Sequence, residues 1–250
     1  MSLPTPAATS SFAVAPIPAG GNPAQDELGD LIYFISHDLR ASLRALLEVP
    51  QWIEEDIYEM GHAIPPSLSE NIAMMNNHTK RLDRMLCDLL VYSRVGRMQT
   101  KTAVNVNSIL DEVIETLTLP ASFVVERDLA WTSVTFGERD IVTMLNALIG
   151  NAIKHHDCDS GKIAVKTVWE GQMPVMYITD DGPGIQEKFA DIIFDIMQTL
   201  RPRDEVEGSG IGLPIARRAL EFHDGSVALY QPDNDRGACF RLQFANSTAA

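Results

Sequence analysis

Between Asp26 and Met60 apolar residues return at alternating steps of three and four: Leu28, Ile32, Ile35, Leu39, Leu46, Val49, Ile53 and Met60, with Ser42 and Asp56 or Ile57 as imperfect members. Held over several turns, that rhythm is the narrow seam of a coiled-coil or bundle helix. Pro50 lacks a backbone donor and predicts a kink or loosening near Glu48. Gly61 and Ile64-Pro65-Pro66-Ser67 end the helix, and Ser67 with Glu70 forms a capping box for the next. The second helix is predicted from about Leu68 to Val95, with Leu68, Ile72, Met75, Thr79, Leu82, Leu86 and Leu89 in the same rhythm and Gly96 as its stop. Two narrow seams bury little as an isolated pair. The pattern therefore predicts a helical hairpin that dimerises into a four-helix bundle.

Past Gly96 the period changes. Strand-like runs fall at Ala103–Val106, Phe123–Val125, Lys162–Val168, Val175–Thr179, Ser226–Tyr230 and Ala238–Leu242. Helical runs lie near Ser108–Leu117, Arg139–Lys154 and Ile211–Phe222. This mixture predicts a two-layer α/β domain. The division expected is a disordered tail over 1–24, the hairpin over 25–100 and the α/β domain over 101–250.

Composition narrows the function classes. A hydrophobic fraction of 45% with 22% charged residues suits a globular chain with a sizeable core. A formal net charge of −14 argues against nucleic acid and against an anionic membrane surface. No apolar run reaches the length of a membrane span, and the Ala-, Pro- and Ser-rich start lacks the basic and apolar regions of a signal peptide. Cys87, Cys158 and Cys239 are scattered and odd in number, which suits a reducing, cytoplasmic setting without a disulfide framework.

Candidate chemistry starts at His37. It lies two residues from both Ile35 and Leu39, so at about 100° per residue its ring points roughly 160° away from each, toward solvent. Asp38 beside it can take or hold the imidazole proton and leave the other ring nitrogen free to attack. Asn151, within Asn151-Ala152-Ile153-Lys154-His155, offers a neutral amide oxygen of the kind Mg²⁺ accepts beside phosphates, and Lys154 offers charge to those phosphates. In His155-His156-Asp157-Cys158-Asp159 the ligand types are consecutive rather than spaced to converge, which argues against zinc. In Asp180-Asp181-Gly182-Pro183-Gly184 a carboxylate can accept an exocyclic amine such as adenine's, and glycines let a flat ring approach. Gly208-Ser209-Gly210-Ile211-Gly212-Leu213 opens a helix whose bare amides suit phosphate. A dinucleotide-binding reading fails, because the polar loop Arg201–Glu207 stands where a strand should precede the glycines. Arg201 and Arg203 in that loop are read as solvated charge.

In this order, the motifs resemble those of the sensor histidine kinases of two-component systems. Phe34-Ile35-Ser36-His37-Asp38-Leu39-Arg40 is similar to the phosphoacceptor box, Asn151–His155 to the Asn box, and Asp180–Gly184 and Gly208–Leu213 to the two glycine boxes. Phe194 resembles the start of the box before the ATP lid, and Gly237-Ala238-Cys239-Phe240 the final glycine strand. The resemblance covers about Asp26–Phe244. It implies an α+β fold: a hairpin forming a dimeric four-helix bundle, then a Bergerat-type α/β sandwich. It also implies ATP and Mg²⁺ as cofactors, autophosphorylation of His37 with Asp38 as base, and transfer to an aspartate of a response regulator receiver domain. Asn151 would hold Mg²⁺, Lys154 the phosphates and Asp180 adenine, while Gly182, Gly184, Gly208, Gly210 and Gly212 would shape pocket and lid.

Four departures stand out. Ser42 occupies a frequent proline position, and Ala147 the place of a frequent second Asn, with Asn146 one residue off. Ala41 stands where relatives with strong phosphatase activity carry Thr or Asn, so weak phosphatase activity is expected. No sensor domain of recognisable length precedes Asp26, so input is expected from a partner, from a missing N-terminal part, or from nothing. Ala147 and the absent sensor motivate the alternative of a dimeric phosphotransfer or scaffold protein with a decayed nucleotide domain. A plain ATPase of the same sandwich fold is a third reading, opposed by the outward His37 and the paired seams.

Overall fold

The computed structural model describes residues 23–97, 99–201, 208–230 and 236–245, with side chains from residue 29 onward. Most of the expected tail over 1–24, the side chain of Leu28, and Arg203 lie outside these residues. Two long helices come first, α1 (Pro23–Glu59) and α2 (Pro66–Arg94). They are followed by β1 (Thr102–Asn105), α3 (Val106–Thr116), β2 (Phe123–Leu129), β3 (Ser133–Phe136), α4 (Glu138–Lys154), β4 (Gly161–Glu170), β5 (Met173–Asp180), α5 (Gly212–Phe222), β6 (Ser226–Tyr230) and β7 (Cys239–Gln243). The fold is α+β, a helical hairpin joined to an α/β sandwich.

The hairpin does not close on the seam read from the sequence. Ser36, Leu43 and Pro50, seven residues apart, are buried against α2, where Ile72, Thr79, Leu90 and Ser93 are buried in turn. Ile35, Leu39, Leu46 and Met60 remain half or more exposed, at 50%, 50%, 51% and 69%, as do Leu82 and, less so, Met75 on α2. Thus α1 carries two adjacent stripes. The one with small residues and a proline lets the two backbones of the hairpin approach, and the one with large aliphatics is left outward. Pro50 does not break the helix, since α1 runs through it and the ring fills the hairpin interface. The capping box also fails: α2 starts at Pro66, whose fixed φ suits the first helical turn, and no side chain caps it. Gly96, with φ of +85°, ends the helical path as expected.

In the sandwich, five strands run in the order β2-β4-β5-β7-β6, with only the β2–β4 pair parallel. The predicted strands all form. The one missed, β3, has four residues and pairs with β1 in a separate two-stranded sheet. Asn105 caps α3, its Oδ1 accepting the Ser108 N–H at 3.2 Å. One face of the large sheet is covered by helices. Ile163 and Val165 of β4 and Met176 and Ile178 of β5 are buried with Leu145, Leu148 and Ile149 of α4 and Ile215, Ala219 and Leu220 of α5. The other face is wet and carries ion pairs such as Lys162–Glu126 at 2.6 Å and Lys166–Asp128 at 2.9 Å.

Candidate active site

Two clusters carry the candidate chemistry, one on each part of the chain. On α1 the His37 side chain is 73% exposed and its Nδ1 stands 3.4 Å from Asp38 Oδ1. The ring faces solvent as expected, but Ile35 and Leu39 are themselves 50% exposed, and the neighbour turned inward is Ser36. The ring also stacks on Tyr33 with centroids 6.2 Å apart. Because Nδ1 faces the carboxylate, Nε2 is the nitrogen turned away from it.

The second cluster is assembled where β5 ends. Asp180 is half-buried, and its Oδ1 accepts the Gly182 N–H at 2.9 Å and the Ala238 N–H at 3.1 Å. Burial pushes its carboxyl above the ordinary carboxylate range, against the pull of these two amides and of His156. One oxygen is thus fixed by main chain and the other is left to accept from a ligand. The loop is held by close backbone contact. Gly184 and Gly237 have φ of +75° and +90°, and a Cβ on Gly184 would stand 2.8 Å from the Gly237 carbonyl oxygen.

A brace under this loop had no signal in the sequence. The side chain of His156 is only 3% exposed, and its Nε2 lies 3.0 Å from Asp181 Oδ1. The Lys162 N–H reaches the same oxygen at 2.8 Å and is the main cause of Asp181's lowered pKa. Arg236 donates to the Asp181 carbonyl at 2.7 Å and to Asp157 at 2.9 Å. The ligand atoms of His156, Asp157 and Cys158 do converge within 4.8 Å, contrary to the expectation from their consecutive spacing. The turn wraps back on itself, with the Cys158 N–H donating to His156 Nδ1 at 3.0 Å, so the group is already tied together by hydrogen bonds.

The phosphate-binding candidates meet between α4 and α5. A Cβ on Gly212 would stand 3.6 Å from the Ala147 methyl and 4.0 Å from both Asn151 amide atoms. A Cβ on Gly208 would fall on Lys154 Nζ. Gly210, at φ +73°, passes 2.5 Å (measured from its ideal Cβ position) from the Gln198 carbonyl, and its own carbonyl accepts the Met197 N–H at 3.0 Å. Asn151, Lys154, Gly208, Gly210 and Gly212 are thereby brought together, as their separate motifs required. The Lys154 ammonium has its pKa lowered, chiefly by burial, with Asp88 of α2 opposing. His155 behind it is held down to about 4 by burial, then by Lys154 and Arg201. Asn146, one residue from Ala147 on α4, has its Oδ1 buried without a partner among the described residues. Phe194 is buried edge-on to Phe240 at 6.3 Å, and the Arg217 guanidinium sits 5.8 Å over its ring.

A carboxylate-and-glycine loop at the end of β5 and a glycine-opened helix beside the Asn-bearing α4 belong to one two-layer sandwich. Residues 137–248 match the family described as histidine kinase-, DNA gyrase B-, and HSP90-like ATPase. Over 210 residues the chain is 29% identical to cyanobacterial phytochrome B of Nostoc sp., which spans 82% of this chain and 28% of that protein. Over 221 residues it is 26% identical to the methanogenesis regulatory histidine kinase FilI of Methanothrix harundinacea, covering 85% of this chain and 24% of that one. Among solved structures, full-length ShkA in complex with AMPPNP superposes with a TM-score of 0.63 at 19% identity, over 88% of this chain and 47% of that chain. The Acinetobacter baumannii histidine kinase AdeS superposes at 0.56 and 21% identity, over 83% and 98%. ThkA, solved in complex with the response regulator protein TrrA, does so at 0.56 and 19% over 89% and 64%. These superpositions establish the fold. The chain is similar over most of its length to sensor histidine kinases, and its residues 137–248 match the ATPase family model. It spans about a quarter of the length of the curated relatives it matches.

Proposed function

We propose that the chain is the ATP-dependent protein-histidine kinase part of a two-component signalling protein, phosphorylated on His37 and donating to a response regulator aspartate. The observation that carries this reading is the pairing of a backbone-aimed Asp180 with an outward His37. Asp180 has one oxygen held by the Gly182 and Ala238 amides and one open to adenine's exocyclic amine. The ATP phosphates would lie over the amides of Gly208, Gly210 and Gly212 with Lys154 as counter-charge. The amide of Asn151, beside Gly212 and half-buried, fits a magnesium ion that keeps most of its waters. Ala147 offers no second oxygen there, so this chain supplies one neutral ligand. Bound Mg²⁺ would neutralise charge on the phosphates.

The chemistry asked of the protein is small. Asp38 holds the proton on His37 Nδ1, which leaves the Nε2 lone pair free to attack the γ-phosphorus. The P–Nε2 bond forms as the bond to the β,γ-bridging oxygen breaks, and ADP leaves with that electron pair. Positioning and charge neutralisation supply the acceleration. The contacts of His37 within the chain are with Asp38 and Tyr33 rather than with the cleft, so transfer requires the hairpin and sandwich to move or a second subunit to present its His37.

A homodimer is the arrangement that would cover Ile35, Leu39, Leu46, Leu82 and Met75. Among the described residues no helix is long and apolar enough to cross a membrane. A cytoplasmic location fits a receiver-domain partner, and Ala41 supports weak phosphatase activity. The reading of a phosphotransfer protein with a decayed nucleotide domain is disfavoured, because the Asp180 and Gly184–Gly237 contacts are intact. Incubation with γ-labelled ATP and Mg²⁺ tests the proposal. Acid-labile label is expected on the wild-type chain and none on His37→Gln; full labelling of the variant overturns the site.

A further inference from the structure

The linker between hairpin and sandwich is fastened to a carboxylate that nucleotide chemistry leaves unused. Asp140, in the first turn of α4, is 3% exposed. Its Oδ2 accepts the Gly96 N–H at 3.1 Å and lies 3.0 Å from His223 Nε2. Its Oδ1 accepts the Gln99 side-chain amide at 3.1 Å, while Gln99 Oε1 takes the Arg139 N–H at 2.6 Å. His223 follows the last turn of α5, buried against Phe136 with ring centroids 4.0 Å apart. Its Nδ1 has no partner among the described residues, so the bond to Asp140 is the one that fixes the ring. Gly96 closes the other side. It has φ of +85°, and a Cβ there would stand 2.8 Å from Phe222 Cβ and overlap the Phe222 ring. The next residue, Arg97, pairs with Asp30 on α1.

Each arm of this junction belongs to an element whose far end carries the nucleotide cluster. Asn151 lies eleven residues beyond Asp140 on α4, about 16 Å along the axis. Gly212 begins α5 and His223 ends it. The two helices pack side by side.

We infer that Asp140 and His223 are positioning residues: they clamp the linker to the ends of α4 and α5 opposite the nucleotide cluster. The direction of the hairpin, and so the place of His37, is set by the two helices that frame the nucleotide. The inference rests on the kinase reading for its rate measurement, and the clamp itself is measurable without it. Asp140→Ala removes both accepting oxygens, so the Gly96 N–H, His223 and the Gln99 amide all lose their shared partner. Gly96→Ala forces the linker off Phe222 and leaves both helices unchanged.

Three quantities are measured on the full chain: hydrogen exchange at the Gly96 amide, AMPPNP affinity and the initial rate of His37 labelling. Exchange at Gly96 is expected to be about tenfold faster in Asp140→Ala, the scale of one lost hydrogen bond. AMPPNP affinity should stay within about twofold in both variants while labelling slows about fivefold or more, since only the approach geometry changes. Adding Phe222→Ala to Gly96→Ala should restore part of the rate. Unchanged Gly96 exchange overturns the clamp, and so does a parallel fall of affinity and labelling, which marks a purely structural role. If the wild-type chain takes no label, the kinase reading fails, and Gly96 exchange alone still decides for or against the clamp.

Discussion

Gly237→Ala should weaken nucleotide binding without removing any polar side chain. A Cβ at this position would overlap the Asp180 carbonyl oxygen and stand 3.0 Å from the carbonyl carbon and 3.4 Å from Asp181 Cα. All three atoms are main chain, so no rotamer change relieves the contact. The φ of +90° adds about 1–2 kcal/mol for any residue with a Cβ. Relief requires the strand end to withdraw, and Ala238 withdraws with it. Its N–H is one of the two that hold Asp180 Oδ1, at 3.1 Å. A hydrogen bond to a charged group contributes about 1.5–3 kcal/mol. Together these come to about 2.5–5 kcal/mol, divided between folding and binding, so AMPPNP affinity should fall on the order of tenfold to a hundredfold. Calorimetric titration of the full chain measures that, and a thermal melt should show a midpoint lower by about 5 °C. An unchanged affinity and an unchanged melt would refute both the close approach and the aiming role of the Ala238 amide.

Two further outcomes follow from other parts of the molecule. Leu46, 51% exposed on the outward stripe of α1, should tolerate Glu within the hairpin yet split the proposed dimer, where a carboxylate would be buried at a cost of several kcal/mol. Sedimentation velocity at micromolar concentration should show a monomer, and an intact dimer would remove this stripe from the interface. His155 is held down to about 4 from its ordinary 6.5, so between these values the unfolded chain binds a proton that the native chain refuses. Its contribution is complete above pH 6.5 and declines toward pH 4, amounting to about 1–2 kcal/mol after allowance for its exposed edge. About half of that is lost by pH 5, so His155→Gln should shrink the drop in melting temperature between pH 7 and pH 5 by about 1–4 °C, and equal drops in both proteins would show the histidine to be uncoupled.

Element type was readable wherever side-chain period was strong. The two long helices, the strands through the Phe123–Val125 and Lys162–Val168 runs, and the helix bearing Asn151 all formed where the pattern put them. β3 escaped because four residues carry too little alternation to register. The candidate site was legible as separate motifs, since glycine at positive φ and an acid at a strand end have few other uses together. His156 and Asp140 were not legible. Asp181 lies 25 residues from His156, and Gln99, Gly96 and His223 lie 41, 44 and 83 from Asp140, and no periodic or spacing signal links partners so far apart.

Periodicity and residue type were enough to establish a hairpin, a sandwich and a nucleotide-type loop set, because helix and strand periods and backbone freedom are local properties. Which stripe of α1 faces its own hairpin partner was not a local property. Two faces compete, and packing against α2 buries Ser36, Leu43 and Pro50 while Ile35, Leu39 and Leu46 stay about half exposed. The same holds for the linker. Gly96 announced a helix end, but that its amide would be held by a buried carboxylate of α4, matched by a histidine from α5, depended on how three distant segments pack into one dry volume.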